Sequence, residues 1–308
     1  MRTNASKWLK TLYAQRQLVV LSLPVLFLLV FNYYPLWGWL IAFQDYKIGK
    51  NLTLFQQKWV GLDNFISIFT DSRFYSALVN TMGMGLLKII FSYLFTLTLA
   101  VLINEIRLLR FKKAVQTISY LPHFVSWVVA ANLLFVVFSP DNGIINLILM
   151  RLGIIDQTIP FMGMPSIFWL VVAFSEVWKS SGYGAIIYLS AMTAIDPVLY
   201  ESADIDGAGR VRKIFSVTLP SIMPTVKILL VLTIGRLLSV GFEQVYLLRT
   251  AMTMSTGTTL EIYIYEFALR YAQYSKGAAL SIFNSAISLA LIFISHMTLK
   301  YFDQEGVF

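Results

Sequence analysis

Six apolar runs, over residues 18–43, 77–103, 115–138, 166–192, 225–248 and 277–301, dominate the 308-residue chain, and each is long enough to cross a bilayer as a helix, for which about 20 residues suffice. In hydrocarbon the backbone N–H and C=O groups have no water to bond, so runs of this length satisfy them internally as helices. The sequence therefore predicts an all-α integral membrane protein with six transmembrane helices. Composition agrees, with 57% apolar and 13% charged residues and a mean hydropathy of +0.70, against roughly a quarter charged in soluble domains. Six spans and their connections leave no room for a sizeable soluble domain.

Several function classes fall away on composition and motifs. The formal charge of +8 reflects basic loops at a membrane rather than a nucleic-acid surface, because no nucleic-acid-binding motif accompanies it. There are no cysteines, hence neither disulfides nor Cys-based metal sites. The two histidines, His123 and His296, are far apart in sequence and suggest no metal centre. No G-x-x-x-x-G-K-[ST], H-E-x-x-H or G-x-S-x-G occurs, so the chain has no P-loop, zincin or hydrolase signature. Gly207-Ala208-Gly209 begins like a dinucleotide fingerprint but lacks its third glycine and a preceding strand.

Along the chain, residues 3–17 place Ala5, Trp8, Leu9, Leu12 and Tyr13 at helical spacing, with Lys7, Lys10 and Arg16 on other faces. This predicts an N-terminal interfacial helix. A basic start before an apolar run also fits a signal peptide, but the run over 18–43 is too long for one and lacks a convincing cleavage site, so it stands as the first span, interrupted by Pro24 and Pro35. The second span leads into the basic stretch N-E-I-R-L-L-R-F-K-K, which should be cytoplasmic. In the third span Pro122 is expected to kink the helix, and His123 either lines a path or is a structural histidine held by a backbone carbonyl. Residues 144–152 fit a short surface helix in an outward loop. With both termini inside, twelve Lys and Arg fall in cytoplasmic segments and eight outside, the bias expected of that orientation.

One charged island interrupts this pattern. Between the fourth and fifth runs, Glu201, Asp204, Asp206, Arg210, Arg212 and Lys213 stand close together, and six such charges would cost on the order of 15–21 kcal/mol at a bilayer centre. The island is therefore aqueous. Asp196-Pro197 reads as an N-cap followed by proline at the first helical position, so a short helix can run to about Ile205 before Asp206-Gly207 breaks it. A second short helix would carry Val211, Ile214, Phe215 and Thr218 on one side until Pro220 and Pro224 stop it.

Glu201-Ser202-Ala203, then Asp206-Gly207-Ala208, then Leu219-Pro220 resembles the EAA loop of the membrane subunits of binding-protein-dependent ABC importers, with Ser202 where that family usually has alanine. Residues 60–65, V-G-L-D-N-F, and 119–124, S-Y-L-P-H-F, add shorter similarities. The resemblance implies a single permease domain over 1–308 with type I importer architecture, a five-span core over 77–301, and a cytoplasmic coupling loop over 196–224. In that loop Glu201, Ser202, Ala203, Asp206, Gly207, Ala208, Phe215, Leu219 and Pro220 would meet a separate ATPase. It further implies a second homologous permease, two cytoplasmic ATPase subunits that use ATP and magnesium, and an extracytoplasmic solute-binding protein. The solute would be an oligosaccharide, the setting a bacterial cytoplasmic membrane with both termini inside, and this chain would bind no cofactor itself.

For the solute path the expectation falls on Glu176, Lys179, Arg236 and Glu243, because ionisable groups within spans face a cavity or one another. The alternative is a structural pair of Glu176 with Lys179 or Arg236. Trp178, Tyr183, Phe242 and Tyr246 could stack on sugar rings or simply pack, and Lys88 has no partner that the sequence names. The cations Lys179 and Arg236 would suit an anionic solute such as a glycerol-phosphate compound. Outside this class stands an ATP-independent secondary transporter, for which no duplicated broken-helix pair speaks, and then a membrane enzyme, which lacks a catalytic constellation.

Overall fold

The computed structural model describes residues 15–303 apart from 17, 19 and 49–52. The expected interfacial helix over 3–17 lies outside the described residues except for Gln15 and Arg16, which are helical. Among the described residues four helices are long and apolar enough to cross a membrane: α1 (Val20–Phe43), α3 (Ser72–Asn104), Arg210–Ile234, and Tyr274–Thr298 within the last helix (Tyr274–Asp303). Two bent helix pairs raise the number among the described residues to six if each pair is one span. The chain forms two compact units, Met1–Thr70 with Glu266–Ile282, and Asp71–Tyr265 with Phe283–Phe308.

In the first unit α1 runs without a break through Pro24 and Pro35. It stays α-helical past Pro24, then changes its hydrogen bonding to a π-helical stretch over Leu29–Tyr33 and a 3-10 stretch over Tyr34–Phe43, whose first turn holds Pro35 where its missing N–H is not needed. A two-residue antiparallel pair, β1 (Gln44–Asp45) with β2 (Lys58–Trp59), follows, and Gly61 turns the chain at φ +61° into α2 (Asp63–Phe69). Asn64 donates to the carbonyls of Ala42 (2.8 Å) and Gln44 (3.0 Å). The asparagine of the V-G-L-D-N-F stretch thus fastens α2 to the end of α1.

The second unit is organised by α3 packed along α7 (Phe168–Thr193). Apolar side chains from both helices, among them Met84, Ala100, Phe168 and Ala185, are fully buried in two clusters along this seam. Without a hydrophobic driving force in lipid, small residues that let backbones approach supply much of the association. Gly182 illustrates this, since a Cβ there would fall on the carbonyl group of Ser119 in α4 (Leu109–Tyr120). At the start of α3, Asp71 accepts the Arg73 N–H (2.9 Å) as N-cap and the Tyr263 hydroxyl (2.8 Å) of the helix Leu260–Tyr265. The hydrogen-bonded Arg73 side chain holds the Asp71 carboxyl down to about 2, against the opposing effect of its partial burial.

Three expectations about the spans need correction. The third span is not a kinked helix: α4 continues as a 3-10 turn over Leu121–Phe124, stops at the extended Val125, and restarts as α5 (Trp127–Val137) at 103°. Pro122 ends the first helix, and Ser126 caps the second by accepting the Val129 N–H. Pro220 and Pro224 do not stop the helix after the charged island. A helix continues from α9 (Arg210–Lys213) through a π-helical stretch (Ile214–Thr218) into α10 (Leu219–Ile234), with Pro220 in the first turn of α10 and Pro224 inside it. The π turn relaxes the four-residue ladder where Pro220 would have broken it. Finally, the fifth span ends at Ile234, and a turn with Gly241 at φ +93° separates it from α11 (Phe242–Leu248). The short helix expected over 144–152 is present as α6 (Ile144–Arg151).

Replacing Gly182 by valine should lower the melting temperature of the detergent-solubilised protein, at a cost of about 1–3 kcal/mol from overpacking; an unchanged melting curve would contradict the close approach to Ser119. Asp71→Asn keeps the cap but removes the carboxylate that Arg73 pairs with, at a cost of about 0.2–1 kcal/mol. Because the carboxyl is depressed in the folded state, its stabilisation is complete above the ordinary carboxylate range near 3.8 and is lost as pH falls toward 2. The difference in melting temperature between Asp71→Asn and the parent should therefore be constant from pH 7 to pH 5.

Candidate functional site

The charged island forms α8 (Pro197–Ile205), bent by 71° from the helix that precedes it. Asp196 accepts the Val198 N–H (2.9 Å) and Pro197 sits at the first helical position, the start expected from sequence. At the other end the N–H of Ala208 bonds the carbonyl of Ala203 (2.9 Å) and that of Gly207 the carbonyl of Asp204 (3.0 Å), with Gly207 left-handed at φ +70°. These are the two bonds of a Schellman stop. The spacing of Ala203, Gly207 and Ala208 thus has a mechanical origin. Ala208 is buried and Ala203 half-buried, whereas Glu201, Ser202, Asp206 and Gly207 face outward.

Two further bonds fix α8 to the next helix: an ion pair of Lys213 with Asp204, and a hydrogen bond between the hydroxyls of Tyr200 and Thr218 (2.9 Å). Around this frame Val198, Leu199, Ile205, Val211 and Phe215 are exposed, Ile205 to 88%. Leu219 is half-buried and Pro220 exposed. The loop is therefore a rigid, capped helix with an apolar rim.

Within the helices a second group assembles around Lys88 of α3. Its ammonium lies 3.0 Å from the Glu176 carboxylate of α7 and donates to the Val240 carbonyl (2.6 Å) and to Gln244 Oε1 (2.7 Å) of α11. Glu176 also accepts from the Ser180 hydroxyl (2.7 Å), and the buried Gln244 amide donates to the Val172 carbonyl (2.8 Å) and Ser175 Oγ (2.9 Å). The cation without a nameable partner thus pairs with Glu176, and the expected pair of Glu176 with Lys179 or Arg236 does not form. Sequence carried a signal, since an ammonium in an apolar run demands a carboxylate. It carried no register between α3 and α7 to say which one, and nothing in it marked Gln244.

Lys179 serves elsewhere. Buried to 8% exposure, it donates to the His123 carbonyl (2.7 Å) at the bend between α4 and α5 and lies 5.4 Å above the Trp127 ring. His123 is not held by a backbone carbonyl through its ring: Nδ1 is buried without a hydrogen-bond partner, and the ring stacks on Tyr183 at 4.0 Å. Phe242 stacks on Tyr246 (5.2 Å), both rings meet Tyr265, and Arg249 lies over Tyr246 (5.7 Å). Glu243 is exposed on α11, on a different segment from Arg236.

Lys88, Glu176 and Arg236 line a cavity of about 310 Å³ among α3, α7 and α10. Trp178 instead lines a larger hollow of about 590 Å³ whose walls are almost wholly apolar. Of the eight side chains expected along a solute path, Glu176 and Arg236 are thus brought to one cavity, with Lys88. Lys179 and Tyr183 gather at the α4–α5 bend, Phe242 and Tyr246 in an aromatic cluster.

A family model described as binding-protein-dependent transport system inner membrane component matches residues 96–305. The chain is 37% identical over 302 residues to Protein LplB of Bacillus subtilis (strain 168), covering 98% of this chain and 94% of that protein. To the polygalacturonan/rhamnogalacturonan transport system permease protein YteP of the same organism it is 38% identical over 298 residues, covering 96% and 92%. Among solved structures, it matches a chain of a bacterial ABC transporter involved in the import of the acidic polysaccharide alginate with a TM-score of 0.85 at 34% identity, covering 96% of this chain and 99% of that chain. A chain of the bacterial alginate ABC transporter in complex with alginate pentasaccharide-bound periplasmic protein gives 0.86 at 35%, covering 97% and 99%.

Removing one partner of a nearly buried pair leaves the other charge uncompensated, at roughly 3–5 kcal/mol. Lys88→Met and Glu176→Gln should each lower the melting temperature of the solubilised protein sharply. The double variant should be more stable than the sum of the two losses. Additive losses would show that the pair is not what joins α3 to α7.

Proposed function

The chain belongs to the family of binding-protein-dependent transport system inner membrane components, and from that premise we propose that it is the permease subunit of an ATP-driven oligosaccharide importer. It is a multi-pass membrane protein with the all-α type I importer architecture expected from its sequence. The transport systems named for its relatives, for polygalacturonan/rhamnogalacturonan and for alginate, support a saccharide as solute. In this reading a second homologous permease completes the pathway, and a solute-binding protein delivers the sugar from outside, a partner supported by the complex of the alginate transporter with an alginate pentasaccharide-bound periplasmic protein. Two ATPase subunits hydrolyse ATP with magnesium on the cytoplasmic side, where both termini of this chain also lie. The chain itself is non-catalytic and binds no cofactor.

The observation that carries coupling to the ATPase is the construction of α8. An exposed apolar rim on a helix capped at both ends and tied to its neighbour by the Lys213–Asp204 pair can transmit force rather than absorb it. Its 71° bend from α7 means that a displacement of α8 acts on the helix that carries Glu176. Closure of the ATPase pair would supply the differential contact that a two-state pathway requires.

Gly207→Val places a β-branched residue in the left-handed region, a strain of about 1–3 kcal/mol, and should undo the stop of α8. In proteoliposomes holding the full complex, this variant should lose ATP-dependent oligosaccharide uptake and retain less ATPase on purification, with membrane insertion intact. Glu201→Ala should weaken both in the same direction. Undiminished uptake in both variants, or uptake by this chain alone without ATP, would overturn the proposal.

A further inference from the structure

The cavity among α3, α7 and α10 holds two cations and one carboxylate, and their bonding decides which charge is available to a ligand. The ammonium of Lys88 has three donors, and three acceptors take them: Glu176, the Val240 carbonyl and Gln244 Oε1. Neither its charge nor its hydrogen bonds are free. Both oxygens of Glu176 are engaged as well, one by Lys88 and one by Ser180. Arg236 is different. It is exposed, it lines the same cavity, and among the described residues its side chain forms no ion pair, while Glu176 is the one acid on the cavity wall.

The cavity therefore carries one net positive charge, located on Arg236. A planar guanidinium fork is matched to a carboxylate, which it can bind through two parallel N–H···O bonds. A single carboxylate also neutralises the site, whereas a phosphate group would bring nearly two charges. The volume of about 310 Å³ lies at the small end of the ~300–1,000 Å³ range of ligand pockets.

We propose that Arg236 is the carboxylate-binding residue of an acidic-saccharide subsite, so that this permease selects uronate-bearing oligosaccharides over neutral ones. The Lys88–Glu176 pair is the self-neutral scaffold beside it. The inference rests on the importer reading above and narrows its substrate class.

The test uses the complete complex and two probes, an oligogalacturonate and the same oligomer with its carboxyls reduced to hydroxymethyl groups. In the purified permease–ATPase complex without binding protein, the acidic oligomer should raise the melting temperature and the reduced oligomer should not. Arg236→Gln should abolish that difference, and Arg236→Lys, which keeps the charge but loses the two-pronged fork, should retain only part of it. In proteoliposomes with binding protein, Arg236→Gln should lower oligogalacturonate uptake at least tenfold while binding-protein-stimulated ATP hydrolysis stays within twofold. The subsite is overturned if Arg236→Gln binds and imports the acidic oligomer like the parent. It is equally overturned if both oligomers stabilise the parent complex alike, or if ATP hydrolysis falls in parallel with uptake in both variants, which would mark a structural role. A parent complex that binds the acidic oligomer selectively but imports neither probe with ATP would leave the subsite standing and overturn the importer reading instead.

Discussion

An ammonium group among membrane-crossing helices is tolerable only when every donor meets an acceptor, and the second unit is arranged so that Lys88 does. Its three bonds reach three separate pieces of chain: α7 at Glu176, the turn after α10 at Val240, and α11 at Gln244. Gln244 passes the connection back to α7 through Val172 and Ser175. One charge on α3 thereby ties down the turn after α10 and the start of α11. Gly241 at φ +93° provides the backbone turn that this arrangement needs. The apolar seam of α3 and α7 supplies area, but it is the polar network that specifies one arrangement among many of similar burial.

The same bookkeeping of donors and charges defines the cavity. Because Lys88 and Glu176 satisfy each other, they contribute a rigid wall rather than a binding group, and Arg236 is left as the charge that a solute would meet. Lys179, one turn along α7 from Glu176, is withdrawn from the cavity altogether by the carbonyl of His123. A broken helix leaves carbonyls without partners, and a buried lysine at the 103° bend satisfies one of them. Two lysines that look equivalent in an apolar sequence are thus assigned to two different structural problems.

The island between the fourth and fifth apolar runs was legible in far more detail than the spans. Its caps are local: Asp196-Pro197 starts α8, and the bonds from Gly207 and Ala208 to Asp204 and Ala203 close it within a few residues. Local hydrogen bonds leave local sequence signatures. The prolines misled for the complementary reason. Pro122 coincides with a break and a 103° bend where a kink was expected, and Pro220 and Pro224 lie within a helix that they were expected to end. Whether a proline bends, breaks or is absorbed depends on the hydrogen-bond register of the preceding turn and on what packs beside it, neither of which a residue type encodes.

By itself the sequence determined that the chain lies in a membrane as helices, and that a short capped helix runs from Pro197 to about Ile205 before the break at Asp206-Gly207. Each follows from the cost of exposing polar groups to hydrocarbon or from bonds made within a few residues. Only the tertiary structure decided that Lys88 answers Glu176, that Lys179 supports a bend, and that Arg236 and Glu243 belong to separate segments. Those outcomes depend on the rotation and axial register of one helix against another. That register is set by the combined packing of small residues such as Gly182 and by buried bonds between residues distant in the chain, and no span carries it alone.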